Sequence, residues 1–256
     1  MKQKSNRDMS AFTLVEVIVL ILVIGLLALV FLPHMVPRQY PEGFRLSCVS
    51  NLKEIGVANR IWAGDNGDLV PSQQTVASNG WRDFLTNADQ GAKCWLNYAI
   101  MSNELGQAPK LIVCPSDERI AADSFTNIFD NSNVSYFVGV SANDMQPQSI
   151  QGGDRNLGPG LVPTNDYGYS PNTGKGNDVA IPINSSKGPV SWSLKMHSMY
   201  LPKSSDGAGN ILFGDGSVQR VSTASFNHRW LPYAAPTTNW PAGHLPATPS
   251  IRLVFP

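Results

Sequence analysis

Thr13 and Glu16 carry the only strong hydrogen-bonding side chains between Phe12 and Leu32; every other residue of that run is Leu, Ile, Val, Ala, Phe or Gly. A carboxylate among such residues is costly unless it has a partner. The spacing offers one locally. In Thr-x-x-Glu the threonine hydroxyl accepts from the backbone N–H of the third residue, and the glutamate reaches back to the threonine N–H. The other option is a cation from outside the run. A second chemical signal is Asp215-Gly216, set between the apolar runs of "NILFGDGSVQRVS". Asp-Gly in that setting marks a tight hairpin.

Three cysteines, Cys48, Cys94 and Cys114, form no C-x-x-C pair, which argues against a zinc ribbon or a thioredoxin-type site. In an oxidising compartment one disulfide plus one free thiol is the simplest arithmetic, with Cys48–Cys114 the favoured pair; three unpaired thiols is the alternative. The four histidines are scattered, with no H-E-x-x-H, and no G-x-S-x-G, Walker A or G-x-G-x-x-G occurs. Asp65, Asn66 and Asp68 surround Gly67, but the stretch lacks the calcium-loop pattern and reads as a helix-ending turn. These residues predict no enzyme, no cofactor and no metal.

The elements that must position these residues follow from composition. Lys plus Arg equals Asp plus Glu at 19 each, so no bulk charge calls for nucleic acid. Charged residues are only 15 %, while 22 glycines and 19 prolines point to a loop-rich body. Lys2, Lys4 and Arg7 against Asp8 make residues 1–11 a basic leader. The 21 residues from Phe12 to Leu32 would extend about 31 Å as a helix, matching a hydrocarbon core. The basic leader then predicts a cytoplasmic N-terminus. Pro33, with Pro37 and Pro41, predicts a kinked or broken continuation over 34–42. From 43 to 64, Phe44, Cys48, Leu52, Ile55, Val57 or Ala58, and Ile61 or Trp62 recur at helical spacing, an amphipathic helix whose stripe packs on a sheet.

The leader ending in a small residue, then "FTLVE", the apolar run and Pro33 together resemble the prepilin-type signal of type IV pilins and type II secretion pseudopilins. The resemblance implies cleavage by a prepilin peptidase between Ala11 and Phe12, and N-methylation of Phe12. The family usually has glycine before the cut; Ala11 is small enough for the same pocket. Glu16 falls at the family's hallmark fifth mature position. Its implied role is assembly, pairing with the Phe12 amine of its own or a neighbouring subunit, and Pro33 sits where many members kink. The implied fold is α+β and pilin-like: a long N-terminal helix, transmembrane in its first half and amphipathic in its second, packed on an antiparallel β-sheet with long loops. The implied layout is leader 1–11, transmembrane helix 12–33, kinked continuation and amphipathic helix 34–64, and a periplasmic β-rich domain 65–256. Implied partners are other pilin or pseudopilin subunits, the inner-membrane assembly platform with its ATPase, and the lipid bilayer. Single-pass placement in a bacterial inner membrane follows, with a periplasmic or cell-surface filament after assembly. The alternative function is a membrane-anchored periplasmic binding or hydrolytic domain carrying a pilin-type anchor.

In the body, "LIVCPSD" (111–117), "VSYFVGVSA" (134–142), "PVSWSLKMH" (189–197) and "NILFGDGSVQRVS" (210–222) read as strands, the last a hairpin. Residues 143–188 read as long loops, and 226–256 as irregular with one terminal strand near Ile251–Phe255. Asp215-Gly216 also resembles a hairpin of planctomycete and verrucomicrobial pseudopilin-like proteins, which carry a histidine and nine residues before Asp-Gly; His197 lies further upstream than that. "CVSNLKEIG", "CPSD" and "GDRNLG" resemble the same subgroup.

Overall fold

The computed structural model describes residues 13–35, 41–85, 93–142, 146–160, 166–168, 181–183, 188–196, 207–229 and 251–256. The chain divides into two compact units, Met1–Tyr40 and Pro41–Pro256. The first contains helix α1, Leu14–Met35, which runs through Pro33 near its end. The second begins with helix α2, Pro41–Asp65.

This corrects the expected long pilin-type helix. The described side chains of the first helix end at residue 29, and α2 belongs to the second unit with the body. The expected membrane span is also corrected. The described side chains of α1 cover residues 14–29, about 24 Å of helix against roughly 30 Å of hydrocarbon. In α2, Arg45, Lys53, Glu54 and Arg60 interrupt any apolar window. Among the described residues no helix is long and apolar enough to cross a membrane, which overturns the single-pass inner-membrane placement. The α+β class and the antiparallel sheet stand.

The amphipathic stripe of α2 resolves its open choices. Cys48, Leu52, Ile55, Ala58 and Trp62 are buried, while Val57 and Ile61 face out. Proline at the first helical position costs no hydrogen bond. At the other end the Asn66 side chain donates to the Trp62 carbonyl at 2.8 Å, and Gly67 and Asp68 turn into the left-handed region, which stops the helix.

Among the described residues eight strands follow: β1 Tyr136–Gly139, β2 Ile150–Asp154, β3 Leu157–Pro159, β4 Ile181–Ile183, β5 Val190–Trp192, β6 Ala208–Phe213, β7 Val218–Ser222 and β8 Ile251–Val254. Six form one antiparallel sheet in the order β4-β8-β1-β2-β6-β7, and β3 pairs with β5 separately. The chain's last strand thus lies inside the sheet, between β4 and β1. Side chains alternate between its faces as a period of two requires. Tyr136, Val138, Leu212 and Val254 join the core under α2, together with helix α3, Cys94–Ile100. Phe137, Ile211, Phe213, Leu253 and Phe255 join a second core with β5 and helix α4, Thr223–Arg229.

Two strand expectations change. "LIVCPSD" is not a strand: Pro109 opens a short 3-10 helix, Pro109–Ile112, that buries Ile112 under α2. The stretch 143–188 is not all loop, since it holds β2, β3 and β4. Gly152 and Gly153 hide β2 from a β-propensity reading. Yet at Gly153 a Cβ would meet the Asn210 carbonyl oxygen and the Phe137 ring at 2.7 Å, so close packing demands glycine there. Residues 36–40 and 230–250, where a broken helix and an irregular tail are expected, lie outside the described residues, as does His197.

Candidate functional site

At the start of α1 the Thr13 backbone N–H and hydroxyl both donate to Glu16 Oε2 at 2.9 Å, and the Glu16 N–H donates to Thr13 Oγ1 at 3.3 Å. This is the reciprocal capping box that the spacing allows. Glu16 is fully exposed, and the bonds from Thr13 hold its carboxyl below the ordinary glutamate value. The negative charge sits in the first turn, where the helix dipole favours it. Beyond the cap, Val15, Ile18, Leu22, Leu26 and Leu29 are each half or more exposed, and so are residues on every other side of the helix. A helix apolar all round has no face suited to water. Ala11 and Phe12, the expected cleavage and methylation residues, lie outside the described residues.

In the body, the four quoted motif segments converge around α2. Cys48 of α2 is disulfide-bonded to Cys114, and Cys94 stays a free thiol, buried and pushed up by that burial. One turn on from Cys48, the Asn51 amide donates to the Val113 carbonyl at 3.1 Å, so the helix grips the same loop twice. That loop carries "CPSD" to Asp117. Asp117 takes two hydrogen bonds from Arg155, Nε to Oδ2 and Nη2 to Oδ1, each 2.7 Å. Both side chains are buried, 0 % and 3 % exposed, with Glu118 at the solvent edge 3.5 Å from Arg155. A planar two-bond pair of this kind is the strong form of ion pair. Arg155 belongs to "GDRNLG", whose Asp154 accepts the backbone N–H of Asn210 in "NILFGDG". Arg119 donates to the carbonyls of Asn131, Val134, Gly168 and Pro256, which ties the loop to the residues just after β8.

Asp215 and Gly216 form the turn between β6 and β7. Phe213 and Ser217 bond across a three-residue loop, with Gly216 left-handed at φ 81°. Asp215 Oδ1 accepts the Ser217 N–H at 2.8 Å, and Ser217 is the main reason its carboxyl lies below the ordinary value; Arg60 of α2 adds a smaller pull. Nearby, a Cβ on Gly56, the last residue of "CVSNLKEIG", would fall 3.7 Å from the Gly216 Cα. The hairpin is therefore a surface on which α2 rests.

Sequence reasoning assigned no role to Asp117 or Arg155. The sequence carries no local signal for the pair, because the burial that makes each charge need the other comes from a contact 38 positions apart. Among the described residues no group of three or more His, Cys, Asp or Glu could hold a metal ion. The converged motifs fasten a helix to a sheet, and no nucleophile lies beside a base among the contacts described. No protein-family model, curated protein or solved structure matches the chain.

Proposed function

We propose that the chain is a non-catalytic, structural subunit of a filament of the type II secretion pseudopilus or type IV pilus kind. Prepilin peptidase would process it between Ala11 and Phe12, and it would serve protein secretion. The observation that carries this reading is α1: apolar on all sides, capped only by Glu16 and exposed along its described length. Such a helix is stable when other copies of itself cover it. The body supplies a rigid head, since the disulfide and the Asp117–Arg155 pair lock α2 to the sheet. On this reading Glu16 has two states. In the free subunit it caps its own helix through Thr13; in the filament it faces the Phe12 amine of a neighbour.

Two substitutions separate assembly from capping. Glu16→Gln keeps the capping geometry, because glutamine serves at that position of the box, but removes the charge. Filaments would be counted by negative-stain microscopy in cells that also carry the peptidase and the assembly ATPase. Loss of filaments with both Glu16→Gln and Glu16→Ala is the expected outcome. Normal filaments with Glu16→Gln would reduce Glu16 to a cap and remove its place in assembly. The mass of the wild-type chain, starting at Phe12 and one methyl group heavier, checks processing independently.

A further inference from the structure

A cavity of about 540 Å³ opens on the body among the end of α2, the turns over 76–84 and the far side of α3. That volume lies within the range of small-molecule sites. Trp62, Trp81 and Phe84 form an aromatic wall, and Ile100 extends it with aliphatic surface. Glu104 is the sole charged residue in the lining. Its Oε2 is shielded from solvent and accepts no hydrogen bond. A carboxylate oxygen withdrawn from water and left without a donor is unfavourable, and turning the partly exposed Glu104 side chain toward the cavity would bring it to a bound N–H donor. The aromatic faces add negative electrostatic potential of their own. The wall already shows this preference: Lys93 Nζ stands 4.3 Å from the Phe84 ring centroid. The Asn103 amide oxygen is occupied by Gln107 at 2.9 Å, which leaves its NH₂ for an acceptor on the ligand.

We propose that this cavity binds a small organic ammonium ion with an apolar or aromatic body, the ammonium on Glu104 and the body against Trp62, Trp81 and Phe84. Charge complementarity selects this class: one acid, no lining base, and aromatic walls repel anions and leave a neutral apolar guest without its polar anchor. The site owes nothing to α1 and stands whether or not the chain forms filaments.

The test is calorimetric titration of the full chain with 2-phenylethylamine, charged at neutral pH, and with 2-phenylethanol, its neutral counterpart. Saturable binding of the amine, at least about tenfold tighter than the alcohol, is expected. Glu104→Gln should erase that preference without lowering the melting temperature, because Glu104 Oε2 holds nothing in the fold. Ile100→Trp, which fills the cavity, should remove both ligands. Equal affinity for amine and alcohol, an unchanged preference in Glu104→Gln, or no saturable amine binding would each overturn the proposal. Saturation by a lysine-bearing peptide but not by the amine would overturn it in favour of a protein partner.

Discussion

Asp117 and Arg155, separated by 38 positions in sequence, meet edge to edge through two 2.7 Å hydrogen bonds with both side chains out of solvent. The pair joins the loop after the disulfide to the end of β2. Desolvating two charges is expensive, so such a pair resists the loss of one partner far more than the loss of both. Asp117→Asn leaves the buried guanidinium without its anion and should cost about 3–5 kcal/mol. Glu118, 3.5 Å away but exposed, holds the loss toward the lower end. The double replacement Asp117→Leu with Arg155→Met should recover much of the stability. Urea unfolding of the three proteins checks this; a double variant as unstable as the single would show that the pair contributes more than mutual neutralisation.

The Cys48–Cys114 bond closes a loop of 66 residues. Cross-linking a loop of that length restricts the unfolded chain by about 4 kcal/mol. Cys48→Ser with Cys114→Ser should therefore lower stability by an amount of that order. Thiol counting gives a sharper readout. An alkylating reagent should modify none of the cysteines in the native protein, because Cys94 is buried and its thiol pushed up. It should modify one after unfolding without reductant, and all three after unfolding with reductant.

Legibility from sequence followed the physics of each element. The period of α2 stood out because one face meets a sheet and the other meets water, and only burial could decide between Val57 and Ala58 or between Ile61 and Trp62. The Asp215-Gly216 hairpin was legible because the left-handed backbone at Gly216 is a local demand. The strand β2 was not, because its glycines answer a non-local one, the approach of Phe137 and Asn210. The placement of β8 inside the sheet is likewise invisible locally, since its neighbours β1 and β4 are distant in sequence. The α1 segment misled in length: its composition fits a span, but its described apolar stretch falls short of one.

Two glycines should respond differently to alanine. At Gly56 the new methyl would meet Leu212 Cδ1 at 2.9 Å, the far end of a flexible side chain that can rotate away. Alanine also favours helix by about 1 kcal/mol over glycine, so Gly56→Ala should be close to neutral. At Gly153 the methyl would meet a backbone oxygen and a buried ring, both at 2.7 Å, and neither can yield. Gly153→Ala should destabilise by about 1–3 kcal/mol through overpacking. Thermal melting of the two variants side by side checks the ranking; equal losses would mean that Leu212 is as fixed as the Asn210 backbone.

Asp215 gives the hairpin a pH dependence whose direction is fixed. Its carboxyl lies below its ordinary value of 3.8 because Ser217 donates to the ionised form. A depressed folded value means that the stabilising contribution is fully present above the unfolded value and is lost as pH falls through the folded one. The side chain is almost wholly exposed, so solvent screens the effect and it stays local. Amide exchange at Ser217, whose N–H the carboxylate accepts at 2.8 Å, should quicken relative to neighbouring amides as pH drops below about 3.8. Asp215→Asn should abolish that acid-dependent change while leaving the turn, which Gly216 sets through its φ of 81°. Unchanged relative exchange at Ser217 across the acid range would show that the turn's backbone bonds alone hold that amide.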